Sequence, residues 1–154
     1  MKIQWKKLIV SVLVPLAVGG LSAFLTREGM DRFSQVEKPP LSPPAWLFPV
    51  AWTILYILMG VAAYLVWIAP HKTVYAFSAY TLQLFFNFFW SLIFFNLEND
   101  LFAFVWLIFL WLFILLTLLL FRKSSRAAGL LLLPYLLWVT FAGYLNLGIY
   151  LLNR

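Results

Sequence analysis

Five stretches of this chain, near 8–26, 44–69, 73–96, 101–121 and 127–152, contain no Asp, Glu, Lys, Arg or His. Each is long enough to cross a hydrocarbon core, which takes about 20 helical residues. Inside lipid the backbone must satisfy its own hydrogen bonds, and long apolar runs do so as helices. The expected fold class is therefore an all-α membrane protein, a single domain over 1–154 built as a five-transmembrane-helix bundle. Charged residues make up only 10% of the chain, against about a quarter in soluble domains. The net charge of +6 does not point to nucleic acid, because that would need a basic face on a soluble module. Here the charges lie between the apolar runs. The first run follows Lys2, Lys6 and Lys7 as a signal peptide would. Its apolar part exceeds the usual length of about 7–15 residues, and no soluble domain follows it, so it is read as a retained helix.

Three connections are short, at 71–72, 97–100 and 122–126, so the helices they join are expected to be antiparallel neighbours. The first connection, Arg27–Pro43, is long, carries both signs of charge and includes Pro39, Pro40 and Pro43. A structureless loop of that length in a compact fold is usually a lid or binding loop; a plain tether is the other reading. Ser42 ahead of Pro43 and Pro44 predicts a helix start there, with a capping hydroxyl followed by residues that need no amide donor. Five spans put the N-terminus and the second and fourth connections at one end, here the near end. Lys2, Lys6, Lys7, Lys72, Arg122, Lys123 and Arg126 lie there without an acid. The far end holds Arg27, Arg32, Lys38 and Arg154 among five acids. The cation excess predicts a cytoplasmic near end and N-terminus.

The few polar side chains within the runs share faces. Phe48, Trp52, Tyr56 and Gly60 recur every four residues, and each step turns only about 40° around a helix. In the third run Tyr80, Gln83, Asn87, Trp90, Ser91 and Phe94 share an arc of about 100°, and in the fifth Tyr135, Trp138, Ala142 and Asn146 share about 80°. The fourth run offers only Thr117 among bulky apolar groups and reads as an outer wall. At about 1.5 Å per residue, Trp52 lies about 12 Å below the far end, Asn87 and Ala142 about 15 Å, and Trp138 about 21 Å. Three faces thus converge beneath the long first connection. Polar glue between helices is the plain alternative, but such bonds average only about 0.6 kcal/mol and need one or two residues.

The geometry expected is a lidded, aromatic-walled pocket bounded by Phe48, Trp52, Tyr56, Gln83, Asn87, Trp90, Trp138, Ala142 and Asn146. Arg27, Arg32 and Lys38 stand at its mouth, suited to the carboxylates of a ligand. Gly19 and Ala23, four apart, read as a site of close helix packing. Pro15, Pro49 and Pro134 each free a carbonyl one turn back, which either bends a helix around the bundle or shapes a cavity. No buried ionisable group of the kind used by pumps is present in the runs. His71 stands alone at the near end, away from the pocket, so acid–base catalysis lacks its players. With no Cys, no metal site is expected, and no cofactor is required. What remains is binding of apolar, flat aromatic small molecules in the bilayer, or radical chemistry carried by the ligand and a neighbouring Trp.

The segments KPPLSPPAWLFPVAWTILYILMG (38–60), QLFFNFFWSLIFF (83–95) and PYLLWVTFAGYLNLGIYLLN (134–153) resemble the translocator protein family, also called TspO or the peripheral-type benzodiazepine receptor, in its bacterial form. The resemblance implies a five-helix homodimer in a bacterial cell membrane that binds porphyrins such as protoporphyrin IX and aryl-carboxamide or benzodiazepine-type ligands. It implies a receptor-like role in tetrapyrrole or stress regulation. Trp52 and Asn87 would donate hydrogen bonds to a ligand carbonyl, and Ala142 would be sensitive to added bulk. Trp138 would stand beside the porphyrin in a light- and oxygen-dependent degradation, the catalytic alternative. Transport of porphyrin or sterol is a further implied role. Sterol contact is not expected here, because Leu147-x-x-Tyr150-x-x-x-Arg154 reads as an ordinary pair of membrane anchors.

Overall fold

In the computed structural model, which describes residues 2–154, each apolar run is helical. The long elements are α1 (Trp5–Leu25), α3 (Leu47–Trp67), α4 (Ala76–Ser91), α5 (Asp100–Ser124) and α7 (Leu133–Asn153). Two short helices, α2 (Gly29–Gln35) and α6 (Arg126–Leu131), lie between them. With α6 and α7 read together, five helical spans are long and apolar enough to cross a membrane. They close a ring in which α1 packs on α3, α3 on α6, α5 on both α7 and α4, and α4 returns to α1. Lipid cannot drive this assembly by the hydrophobic effect, so close packing and interhelical hydrogen bonds carry it. Gly60 is one such contact: a Cβ there would strike the Val12 backbone and stand 2.7 Å from the Ser11 carbonyl oxygen. Indole donors of α5 tie two more helices, with Trp106 Nε1 donating to the Phe86 carbonyl (2.8 Å) and Trp111 Nε1 to Thr140 Oγ1 (2.8 Å).

Helix ends depart from the apolar boundaries where polar chemistry takes over. α5 begins at Asp100 because the Asn99 side chain caps it, accepting from the Phe102 amide at 3.1 Å. It runs on through Arg122 and Lys123, cations that suit the negative end of a helix dipole. A single residue, Ser125, then separates it from α6, and its hydroxyl accepts from the Ala128 amide (3.3 Å). The fifth span is broken at Leu132, two residues before Pro134, whose ring lacks a donor and crowds the carbonyl four residues back. Past Ser91, α4 widens into one π turn, Leu92–Asn96, closed by Leu97 N to Leu92 O at 3.1 Å.

Two expectations about the first connection need correction. It is not structureless, since α2 folds within it and buries Phe33. Nor does Ser42 start a helix: its hydroxyl donates to the Pro39 carbonyl (2.7 Å), and α3 begins at Leu47. Consecutive prolines explain this, because each disfavours the helical region for the residue before it.

Candidate functional site

Beneath α2, at the far end of the bundle, lies a cavity of about 360 Å³. α3 contributes Phe48, Pro49, Trp52 and Tyr56; α7 contributes Trp138, Ala142, Leu145 and Asn146. α4 and its π turn add Trp90, Ser91, Phe94 and Phe95, while α1 and α2 supply Gly19, Ser22, Thr26 and Phe33 among others. The aromatic rings hold one another. Trp52 stacks on Tyr56 with centroids 5.7 Å apart and stands edge-on to Trp138 at 6.5 Å. Phe48 bridges Trp138 (5.9 Å) to Phe33 of α2 (5.4 Å), so the roof is bound to the wall by edge-to-face contacts. Such pairs are worth about 0.5–1.5 kcal/mol beyond burial, enough to fix ring orientations.

Gln83 and Asn87, expected on the wall, lie outside this lining and are each 1% exposed. They form a hydrogen-bonded chain below the cavity floor. The Tyr56 hydroxyl donates to Asn87 Oδ1, Asn87 Nδ2 donates to the Tyr135 hydroxyl, and that hydroxyl donates to Gln83 Oε1, each at 2.7 Å. One Asn87 amide hydrogen is thus committed to Tyr135, and the residue does not line the cavity. Asn146 lines the wall but is likewise engaged: it accepts from Trp90 Nε1 (3.1 Å) and donates to the Asp100 carbonyl (2.8 Å). Trp138 Nε1 is buried and pairs with no described residue. The wall therefore presents mainly carbon, with indole edges for donors.

The three cations expected at the mouth separate. Arg27 lines the cavity, with Nη1 on the Phe24 carbonyl (2.8 Å) and its guanidinium over the Phe24 ring (4.1 Å). Arg32 is a latch instead. It holds Asp100 bidentately (2.8 and 3.2 Å) and also donates to the Phe94 carbonyl in the π turn (3.3 Å). Lys38 is not part of the lining: its ammonium sits over the Phe33 ring at 4.8 Å and donates to the Val36 carbonyl (3.2 Å). The loop is tied down twice more. Asn153 exchanges two hydrogen bonds with the Glu37 backbone (2.8 and 3.1 Å), and the Tyr144 hydroxyl donates to the Pro40 carbonyl (2.7 Å).

The contribution of α1 was not expected. Gly19 and Ala23 do serve packing, since a Cβ on Gly19 would overlap the Tyr56 ring, but both also border the cavity. Ser22 and Thr26, on the same helix face four apart, were the available signal. No group of His, Asp and Glu arranged to hold a metal occurs among the described residues.

The TspO/MBR family model matches residues 11–152 of the chain. A tryptophan-rich protein TspO from Archaeoglobus fulgidus is 42% identical over 96% of this chain and 97% of its own. Another of that name, from Chlorobaculum tepidum, is 42% identical over 90% of each. The translocator protein of Ovis aries is 33% identical over 92% of this chain and 87% of its own.

Proposed function

This chain belongs to the TspO/MBR family, and we propose that it is a multi-pass membrane protein that binds a flat aromatic ligand, a porphyrin such as protoporphyrin IX or an aryl carboxamide, in the cavity under α2. One observation carries the reading: aromatic rings from α2, α3, α4 and α7 enclose one hollow in which the amides of Asn87 and Asn146 are paired while the buried Trp138 indole N–H meets no described partner. A ligand entering from lipid gains little from apolar burial, so ring stacking and shape must select it. At about 360 Å³ the hollow is near the lower end of ligand pockets, about 300–1,000 Å³. A compact aryl carboxamide fits inside, with its carbonyl toward an indole donor. A tetrapyrrole inserts one edge and leaves its carboxylates near Arg27, where exposure keeps the charge contact modest. On this reading the protein acts as a receptor-like sensor of tetrapyrroles or stress.

A second reading, light- and oxygen-dependent porphyrin degradation, is favoured by the contact between Trp138 and Trp52 along the cavity wall. Titration of the purified protein with protoporphyrin IX in detergent, followed by irradiation, tests both. Binding should be saturable in the wild type and lost in Ala142→Phe, which fills the hollow. Unchanged binding in that variant would remove the porphyrin from this cavity. Loss of porphyrin absorbance only with protein, suppressed in Trp138→Phe, would establish the enzyme; stable absorbance would leave a binder.

A further inference from the structure

The proline segment between α2 and α3 descends along the outside of α7, and three contacts mark the descent in chain order. Asn153, at the end of α7, bonds the Glu37 backbone (2.8 and 3.1 Å). Gly148 lies about 7–8 Å below that helix end, and a Cβ on it would overlap the Pro39 ring. Tyr144 lies about 13–14 Å below, and its hydroxyl donates to the Pro40 carbonyl (2.7 Å). Side chains lean toward the start of their helix, so that hydroxyl is no shallower than its own backbone. The side traversed faces lipid, because Leu137, Tyr144 and Leu151 form one exposed stripe of α7. The charged turn between α4 and α5 gives the level of the membrane surface. Asn146 donates to the Asp100 carbonyl there, about 10–11 Å below the end of α7. Pro40 therefore sits at or just beneath that surface. Leu41 comes next and is 85% exposed, while Trp46, 66% exposed, directly precedes α3. Leu41 is held at φ 69°, a left-handed backbone that leucine rarely adopts. The Ser42 hydroxyl closes the turn on the Pro39 carbonyl (2.7 Å).

We propose that residues 39–46 form an interfacial anchor, with Leu41 and Trp46 inserted among the headgroups and first methylenes of the far leaflet. Water is a poor solvent for a leucine held outward at that level, and a strained turn keeps it there. An indole suits the same depth, since its ring is apolar and its N–H reaches headgroup oxygens. The segment carries no charge. Glu37 and Lys38 lie above it, and no Asp, Glu, Lys, Arg or His follows before His71. The roof over the cavity is then fastened on two sides, to the bundle by α2 and to the lipid by this loop.

The chain contains no cysteine, so a single introduced one can carry a nitrobenzoxadiazole label. Leu41→Cys and Trp46→Cys are labelled separately in the full chain, both at positions outside the core. Glu98→Cys marks the aqueous turn, and Ile54→Cys marks the exposed side of α3 about 10–11 Å below its start. Each protein is placed in phosphatidylcholine nanodiscs, where both leaflets meet the buffer. Quenching is then measured with aqueous iodide and with nitroxide-bearing lipids. Labels at positions 41 and 46 should emit to the blue of the label at 98 and lose most of its iodide quenching. A nitroxide near the headgroup should quench them more than one at the chain terminus, with the reverse order at position 54. Iodide quenching equal to that at position 98 would put the loop in water and overturn the proposal. Protection from both quenchers would overturn it too, by placing the loop under a second copy. Stronger quenching by the deep nitroxide would do the same, since the loop would then lie below the interface.

Discussion

The amide of Asn87 joins α3, α4 and α7 at one point, because it accepts from Tyr56 and donates to Tyr135. Its first consequence is for stability. Asn87→Leu removes the acceptor of the Tyr56 hydroxyl, and a buried hydroxyl without a partner costs about 1–3 kcal/mol. The expected result is a lower unfolding midpoint in detergent, partly restored by adding Tyr56→Phe. If the double variant is no more stable than Asn87→Leu alone, the chain of hydroxyls is not what Asn87 supports. Helical periodicity correctly put Trp52, Trp90, Trp138 and Ala142 on inward faces that meet. It could not separate Asn87 from them, since the period reports the direction of a side chain and not which neighbour lies along it. Tyr56 and Tyr135 come from other helices and cover the amide.

Among the elements, α2 and the π turn are the parts that the apolar pattern does not reveal. α2 is held by Arg32, whose side chain is 21% exposed and whose partner Asp100 is 9% exposed. From Asp100 the contacts continue through Asn146 to Trp90 on the cavity wall. The latch and the wall therefore share one hydrogen-bonded path. Arg32→Gln should loosen α2 without unfolding the bundle, because α1 and α3 to α7 do not depend on it for packing. Limited chymotrypsin digestion should then cut faster near Phe33, and a bound aryl carboxamide should dissociate faster. Equal cutting rates for the variant and wild type would show that the remaining ties, at Asn153 and Tyr144, suffice to keep the roof closed. The π turn has a related basis: its widened backbone turns the Phe94 carbonyl to the Arg32 guanidinium. A contact between residues 62 positions apart leaves no mark on local periodicity.

At the scale of the whole molecule, the cavity exists only where the closed ring brings four helices and α2 to one place. Ligand binding should therefore stabilise the bundle as a unit. At a free ligand concentration of about 100 times Kd the gain is about 2.7 kcal/mol, read as a concentration-dependent rise in the unfolding midpoint. The rise should vanish in Ala142→Phe; a rise that persists there would place the ligand elsewhere. Alone, the order of residues determined the five spans, their alternating direction, the cation-rich near end and the inward aromatic faces. Each of these follows from hydropathy and helical period, which are local. The tertiary structure decided the rest: which polar groups are closed against each other, and which cation latches and which lines the mouth. Those outcomes depend on distances between residues far apart in the chain, and such distances are set by how closely neighbouring helices can pack.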